Sequence, residues 1–115
     1  MKRHPRPLEL LVQEFAKSVL ARTQATREGN SRKAHSTSSG VVKTWDELWE
    51  GYGDAGLEKF AALLQHPDQQ VRVDAAVYML DYRPQVALRV LEEEAPTHGG
   101  AQMTLERWRA HEGKI

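Results

Sequence analysis

The sequence predicts an all-α protein: a compact stack of antiparallel helix pairs, with about five to six helices. Three observations predict it. Apolar residues recur at intervals of three and four along most of the chain, the period of an amphipathic helix. Period-two alternation and hairpin dipeptides are absent. Short Gly, Pro and Asp turns separate the periodic stretches, as antiparallel helix neighbours require.

Residues 1–7 hold two prolines and read as a loose tail, with a single helical domain expected over residues 8–113. Leu8, Leu11, Val12, Phe15, Val19 and Leu20 form the first apolar stripe, so a helix is expected from about Leu8 to Glu28. Gly29 can take the left-handed cap conformation, and Asn30 or Ser31 can cap the next helix. Ser36-Thr37-Ser38-Ser39-Gly40 has poor helix propensity. Two readings of 31–43 stay open: a loop giving way to a helix capped by the Thr44/Glu47 pair, or one long helix from Ser31. The long helix is favoured because Val41 and Val42 extend the Trp45, Leu48, Trp49, Tyr52 stripe backwards.

Gly51-Tyr52-Gly53-Asp54 is expected to close that helix, with Asp54 capping a third that carries Leu57, Phe60, Ala61 and Leu64. His66-Pro67-Asp68 is a sharp break, since a residue before proline avoids helical geometry. Asp68 then caps a fourth helix running to about Tyr82, apolar nearly all round and so expected to be buried on both sides. Pro84 starts a fifth helix that ends near Ala95-Pro96. A loop over Thr97–Gly100 precedes a short last helix carrying Met103, Leu105 and Trp108.

At 115 residues the chain can bury a core without staples, and with no cysteine it has neither disulfides nor thiolate chemistry. Glu9, Gln13, Glu14 and Lys17 interrupt the only candidate signal-peptide core, and no stretch approaches a membrane span. A soluble cytoplasmic protein with no membrane partner is therefore expected. Net charge is zero but segregated: nine Lys/Arg against three Glu leave residues 1–43 at +6, and seven against thirteen Asp/Glu leave 44–115 at −6.

Between Leu63 and Leu80, the leucine pair Leu63-Leu64, the turn Pro67-Asp68, then Val71-Arg72, Ala75-Ala76 and Met79-Leu80 together resemble a HEAT repeat. Small alanines allow close helix approach, proline enforces the turn, and Asp68 caps the N–H groups behind it. Pro67, Asp68 and Arg72 are the expected structural residues, with Asp68 and Arg72 four apart on one face. More widely, residues from about Leu8 to Gly113 look similar to a small bacterial domain-of-unknown-function family with a HEAT-like fold. The His66–Leu80 block, the helix Val86–Glu94 and Met103-Thr104-Leu105 carry that likeness. The resemblance implies a binding module, and some small HEAT-like proteins are similar to immunity proteins that neutralise a toxin.

No phosphate-binding loop, dinucleotide-binding glycine pattern or nucleophile elbow is present. His4, His35, His66, His98 and His111 lack metal-ligand spacing, so no metal and no cofactor are expected. Asp74 and Asp81 share a helix face and could do acid/base work, but hydrogen bonding to a neighbouring loop explains Asp74 better. Trp45, Trp49 and Tyr52 could stack on bases, yet their spacing reads as core. Glu92-Glu93-Glu94 opposes its helix dipole, an arrangement that could receive a basic partner.

The expected function is non-catalytic binding of a protein partner through an acidic edge of Asp46, Glu47, Glu50 and Asp54. The alternative is nucleic-acid association through the basic cluster Arg22, Arg27, Arg32 and Lys33.

Overall fold

The computed structural model describes residues 6–112; residues 1–5 of the expected tail, with His4, and Gly113 at the expected domain end lie outside the described residues. Five α-helices and two short 3-10 turns make up the described chain, and no strand occurs among the described residues. The chain divides into two units, Met1–Leu63 and Leu64–Ile115.

The first unit is a helix hairpin. Helix α1 spans Leu8–Arg27 and α2 spans Ser31–Phe60. Pro7 stands just before α1 with extended ψ, and the Leu11 N–H donates to its carbonyl, so the proline costs no helical hydrogen bond. Gly29 ends the first helix at φ 72°, and the Asn30 side chain accepts from the Lys33 N–H to start the second. The two helices run antiparallel, since Arg6 lies against Glu47 and Ser18 against Gly40 about that turn.

One long helix therefore begins at Ser31, the favoured of the two readings. Thr44 does not cap it. Its hydroxyl donates to the Gly40 carbonyl from inside the helix, and the residue is buried. The weak helix formers at 36–40 are held by packing against α1, where tertiary contact overrides propensity. Leu11, Phe15 and Val19 meet the apolar face of α2, whose buried residues are Val41, Trp45, Leu48, Leu57 and Phe60. Phe15 and Trp45 both set their rings edge-on to Phe60, with centroids 4.7 and 5.0 Å away.

The break expected at Gly51–Asp54 falls at Gly53, and the helix expected beyond it forms the last part of α2, giving way after Phe60 to a 3-10 turn over Ala61–Gln65. A single residue makes the break: Gly53 takes φ 53° and ψ −132°. That region is open to glycine and strained for any residue with a Cβ. No heavy atom lies within 4 Å of an added Cβ there, so Gly53→Ala isolates backbone strain. It is expected to cost about 1–3 kcal/mol in urea unfolding; an unchanged midpoint would contradict the kink.

The second unit holds α3 (Gln69–Met79), α4 (Pro84–Glu94), a 3-10 turn over Ala95–Thr97 and α5 (Gly99–Glu112). Asp68 caps α3 by accepting from the Val71 N–H at 3.1 Å, as expected. The helix stops at Met79 and not near Tyr82: the Tyr82 and Arg83 N–H groups both return to the Met79 carbonyl, closing a turn before Pro84. The expected loop at 97–100 is largely helix, because His98 Nδ1 accepts from the Ala101 N–H and caps α5. Helix α3 packs on α4, and α4 on α5.

Burial on α3 corrects one expectation. Val71, Val73, Ala75, Ala76 and Met79 are buried, but Val77 is 40% exposed. Val77 lies three from Asp74 and seven from Gln70, so it shares the polar face of the helix. The helix is open along that stripe.

Candidate functional site

The four acidic residues of the expected edge do not behave alike. Asp46, Glu50 and Asp54 are exposed, whereas Glu47 is half-buried and ion-paired. Arg6 Nε and Nη2 donate to Glu47 Oε2 and Oε1 at 2.8 and 3.0 Å, and Arg6 Nη1 reaches Glu14 Oε2 at 2.8 Å. The Tyr52 hydroxyl donates to the Arg6 carbonyl at 2.6 Å. Bidentate pairing of this kind is directional and holds the planar guanidinium in place. The guanidinium hydrogen bond keeps the Glu47 carboxyl below its ordinary value despite desolvation, and Glu47 in turn raises Arg6. Glu47 thus serves to fasten the start of α1 to α2. It is withdrawn from the acidic edge, which leaves Asp46 and Glu50, exposed and one helical turn apart.

Trp45 is buried as expected, but Trp49 and Tyr52 are half-exposed. The two indoles lie nearly parallel, with centroids 6.5 Å apart. Of the basic cluster, Arg27, Arg32 and Lys33 are exposed around the Gly29 turn, while Arg22 is half-buried. A groove of about 500 Å³ between α1 and α2 is lined by Arg6, Glu14, Lys17, Ser18, Thr37 and Lys43 among others.

In the second unit the charged network is internal. Arg72 Nε and Nη2 donate to Glu94 Oε2 and Oε1 at 2.9 and 3.0 Å, and Arg72 Nη1 donates to the His66 and Pro67 carbonyls. The expected Asp68–Arg72 pair is therefore replaced. Asp68 caps the helix and acts on Arg72 only through its charge, because the fork of the guanidinium matches the Glu94 carboxylate. Gln69 Nε2 also donates to Glu94, at 3.1 Å, and to Thr97 at 2.8 Å. Glu94 is thus the fastener of the Pro67-Asp68 turn and not a receptor for a basic partner.

The Arg72 hydrogen bond is the chief cause holding the Glu94 carboxyl below its ordinary value, helped by Gln69 and by the Arg72 and His98 charges. A carboxyl depressed on folding contributes stability above its unfolded value and loses it as pH falls through the folded one. Glu94→Gln is expected to cost about 1–3 kcal/mol at pH 7. That difference from wild type should shrink below about pH 4, where both side chains are neutral. Urea unfolding at both pH values checks it; an equal difference at both would contradict the ion pair.

Asp74 accepts from Gln70 Nε2 on its own helix at 2.8 Å, and Asp81 is exposed. His66 Nδ1 accepts from the Asp68 N–H, closing the turn. His35 and His111 are exposed. No group of three or more His, Asp or Glu that could hold a metal occurs among the described residues. A second groove, of about 540 Å³, is lined by Glu92, Gln102, Leu105 and Arg109 among others, with Glu92 and Arg109 paired across 3.4 Å. No described helix is long and apolar enough to cross a membrane.

Sequence reasoning missed Arg6, which it placed in a loose tail, and the role of Glu94. Their partners stand 41 and 22 residues away, beyond the reach of helical periodicity. No family model and no curated protein matches the chain. Among solved structures it is similar to the crystallised protein RPA1889 from Rhodopseudomonas palustris CGA009. The TM-score is 0.86 and the identity 24%, covering 96% of this chain and 94% of that one. The likeness is one of fold, an all-α helical architecture.

Proposed function

We propose that this chain is a non-catalytic, HEAT-like interaction module of the immunity type, acting in the cytoplasm and binding a protein partner with a basic surface. The carrying observation is the acidic edge of α2. Asp46 and Glu50 stand one turn apart, exposed, and no described residue pairs with either. Asp54 lies beyond the kink. Charge left uncompensated on a helix whose opposite face is buried suits a surface completed by another molecule. The HEAT-like reading draws support from the Pro67-Asp68 turn, its Asp68 cap and the Arg72 contacts that close it. Lack of cysteine suits a reducing compartment. No cofactor enters this reading.

The test compares wild type with Asp46→Lys/Glu50→Lys as bait in a nuclease-treated lysate. Both positions are exposed, so the variant should fold as wild type does by circular dichroism. A protein retained by wild type and lost by at least tenfold with the variant supports the reading; equal retention refutes it. Exposure of Arg27, Arg32 and Lys33 around one turn favours the second reading, nucleic-acid association. In a parallel capture from untreated lysate, nucleic acid as the captured species, lost on reversing Arg27 and Lys33, would select it.

A further inference from the structure

The outer stripe of α2 reverses its charge about the middle. Arg32, Ser36, Ser39, Lys43, Asp46 and Glu50 recur at intervals of three and four, so they share one face, and all are exposed or nearly so. Val42, 47% exposed, sits at the edge of the same stripe. The stripe begins basic, passes through two serines and ends acidic. No described residue engages Arg32, Lys43, Asp46 or Glu50.

A face of this kind is complementary to itself when turned end over end. We propose that a second copy of this chain covers it, the two α2 helices lying antiparallel about a two-fold axis level with Val41, on the outward side of the helix. In that register Arg32 opposes Glu50 of the partner subunit, and the partner's Arg32 opposes Glu50. Each pair lies nine residues from the axis, about 13 Å along the helix. Ser36 stands where its hydroxyl can donate to the partner's Asp46, and Ser39 where it can accept from the partner's Lys43. The serines are small enough for the helix axes to approach to about 8–10 Å.

A parallel pairing would set Arg32 against Arg32 and Glu50 against Glu50, so charge selects the antiparallel one. An interface repeated by a two-fold axis closes on itself, which yields a dimer and not a filament. One helix pair falls short of the roughly 1,200 Å² of a stable interface, so the dimer is weak and salt-sensitive. The proposal shares Asp46 and Glu50 with the acidic edge above but also needs Arg32, which that reading does not.

Sedimentation equilibrium of the full chain up to about 1 mM, near 0.05 and 0.5 M salt, tests it. Wild type should pass from monomer to dimer with concentration, and high salt should weaken the dimer about tenfold. Arg32→Glu and Glu50→Arg should each weaken it at least tenfold, and the double variant should restore it. A monomer throughout, a dimer indifferent to either single change, or failure of the double variant to recover would overturn the proposal. Arg32→Glu leaves the acidic edge intact, so loss of dimer with that variant and retained capture of a protein partner separates the two readings.

Discussion

Phe60→Ala is expected to lower the unfolding free energy by about 3–5 kcal/mol, the usual cost of removing a buried aromatic ring. Phe60 has no exposed surface and receives the edges of Phe15 and Trp45, so its ring joins α1, the middle of α2 and the segment beyond the Gly53 break. Truncation removes the transfer term and leaves a cavity that two rigid rings cannot collapse to fill. The two edge-on aromatic contacts are lost as well. Urea unfolding followed by far-ultraviolet circular dichroism measures the loss. A change under about 1 kcal/mol would contradict the placement of this ring at the centre of the first unit.

Ala76→Asp is expected to cost as much in the second unit, about 3–5 kcal/mol, as an unpaired buried charge does. Ala76 has no exposed surface and lies one residue before the open stripe of α3. A carboxylate there must either stay charged without a partner or take up a proton at neutral pH, and both destabilise the fold. Val77→Asp is the matched control. It places the same carboxylate one position along, on the exposed face, and should cost under about 1 kcal/mol. Equal losses from the two would overturn the assignment of faces on α3.

These two sites show what helical periodicity could and could not reveal. The turns were legible because each depends on local chemistry: a left-handed glycine at Gly29, an aspartate cap at Asp68, a proline at the start of α4. The long helix from Ser31 was legible through Val41 and Trp45, whose spacing outweighed the serines. Val77 was misread because an apolar residue carries no mark of the face it occupies. Its place is set by Gln70 and Asp74 on the same stripe. The break at Gly53 was legible for the same reason as the turns: its backbone leaves helical geometry, and the residues beyond return to it.

The candidate surface was legible as a list of acidic residues and illegible as a surface. Glu47 and Glu50 look alike in sequence; only the arrival of Arg6 from 41 residues away separates a fastener from a free charge. Likewise Glu92, Glu93 and Glu94 read as one acidic run, but Arg72 claims the last and Arg109 the first. Long-range pairing of this sort depends on tertiary geometry, which local spacing does not encode.

The association rate between this chain and a protein partner isolated with it, followed across salt from about 0.05 to 0.5 M, is the direct test of the proposed binding role. The rate should fall at least tenfold over that range for wild type, and should be slow and nearly independent of salt for Asp46→Lys/Glu50→Lys. A rate indifferent to salt and to both residues, or a captured species that is nucleic acid, would contradict it.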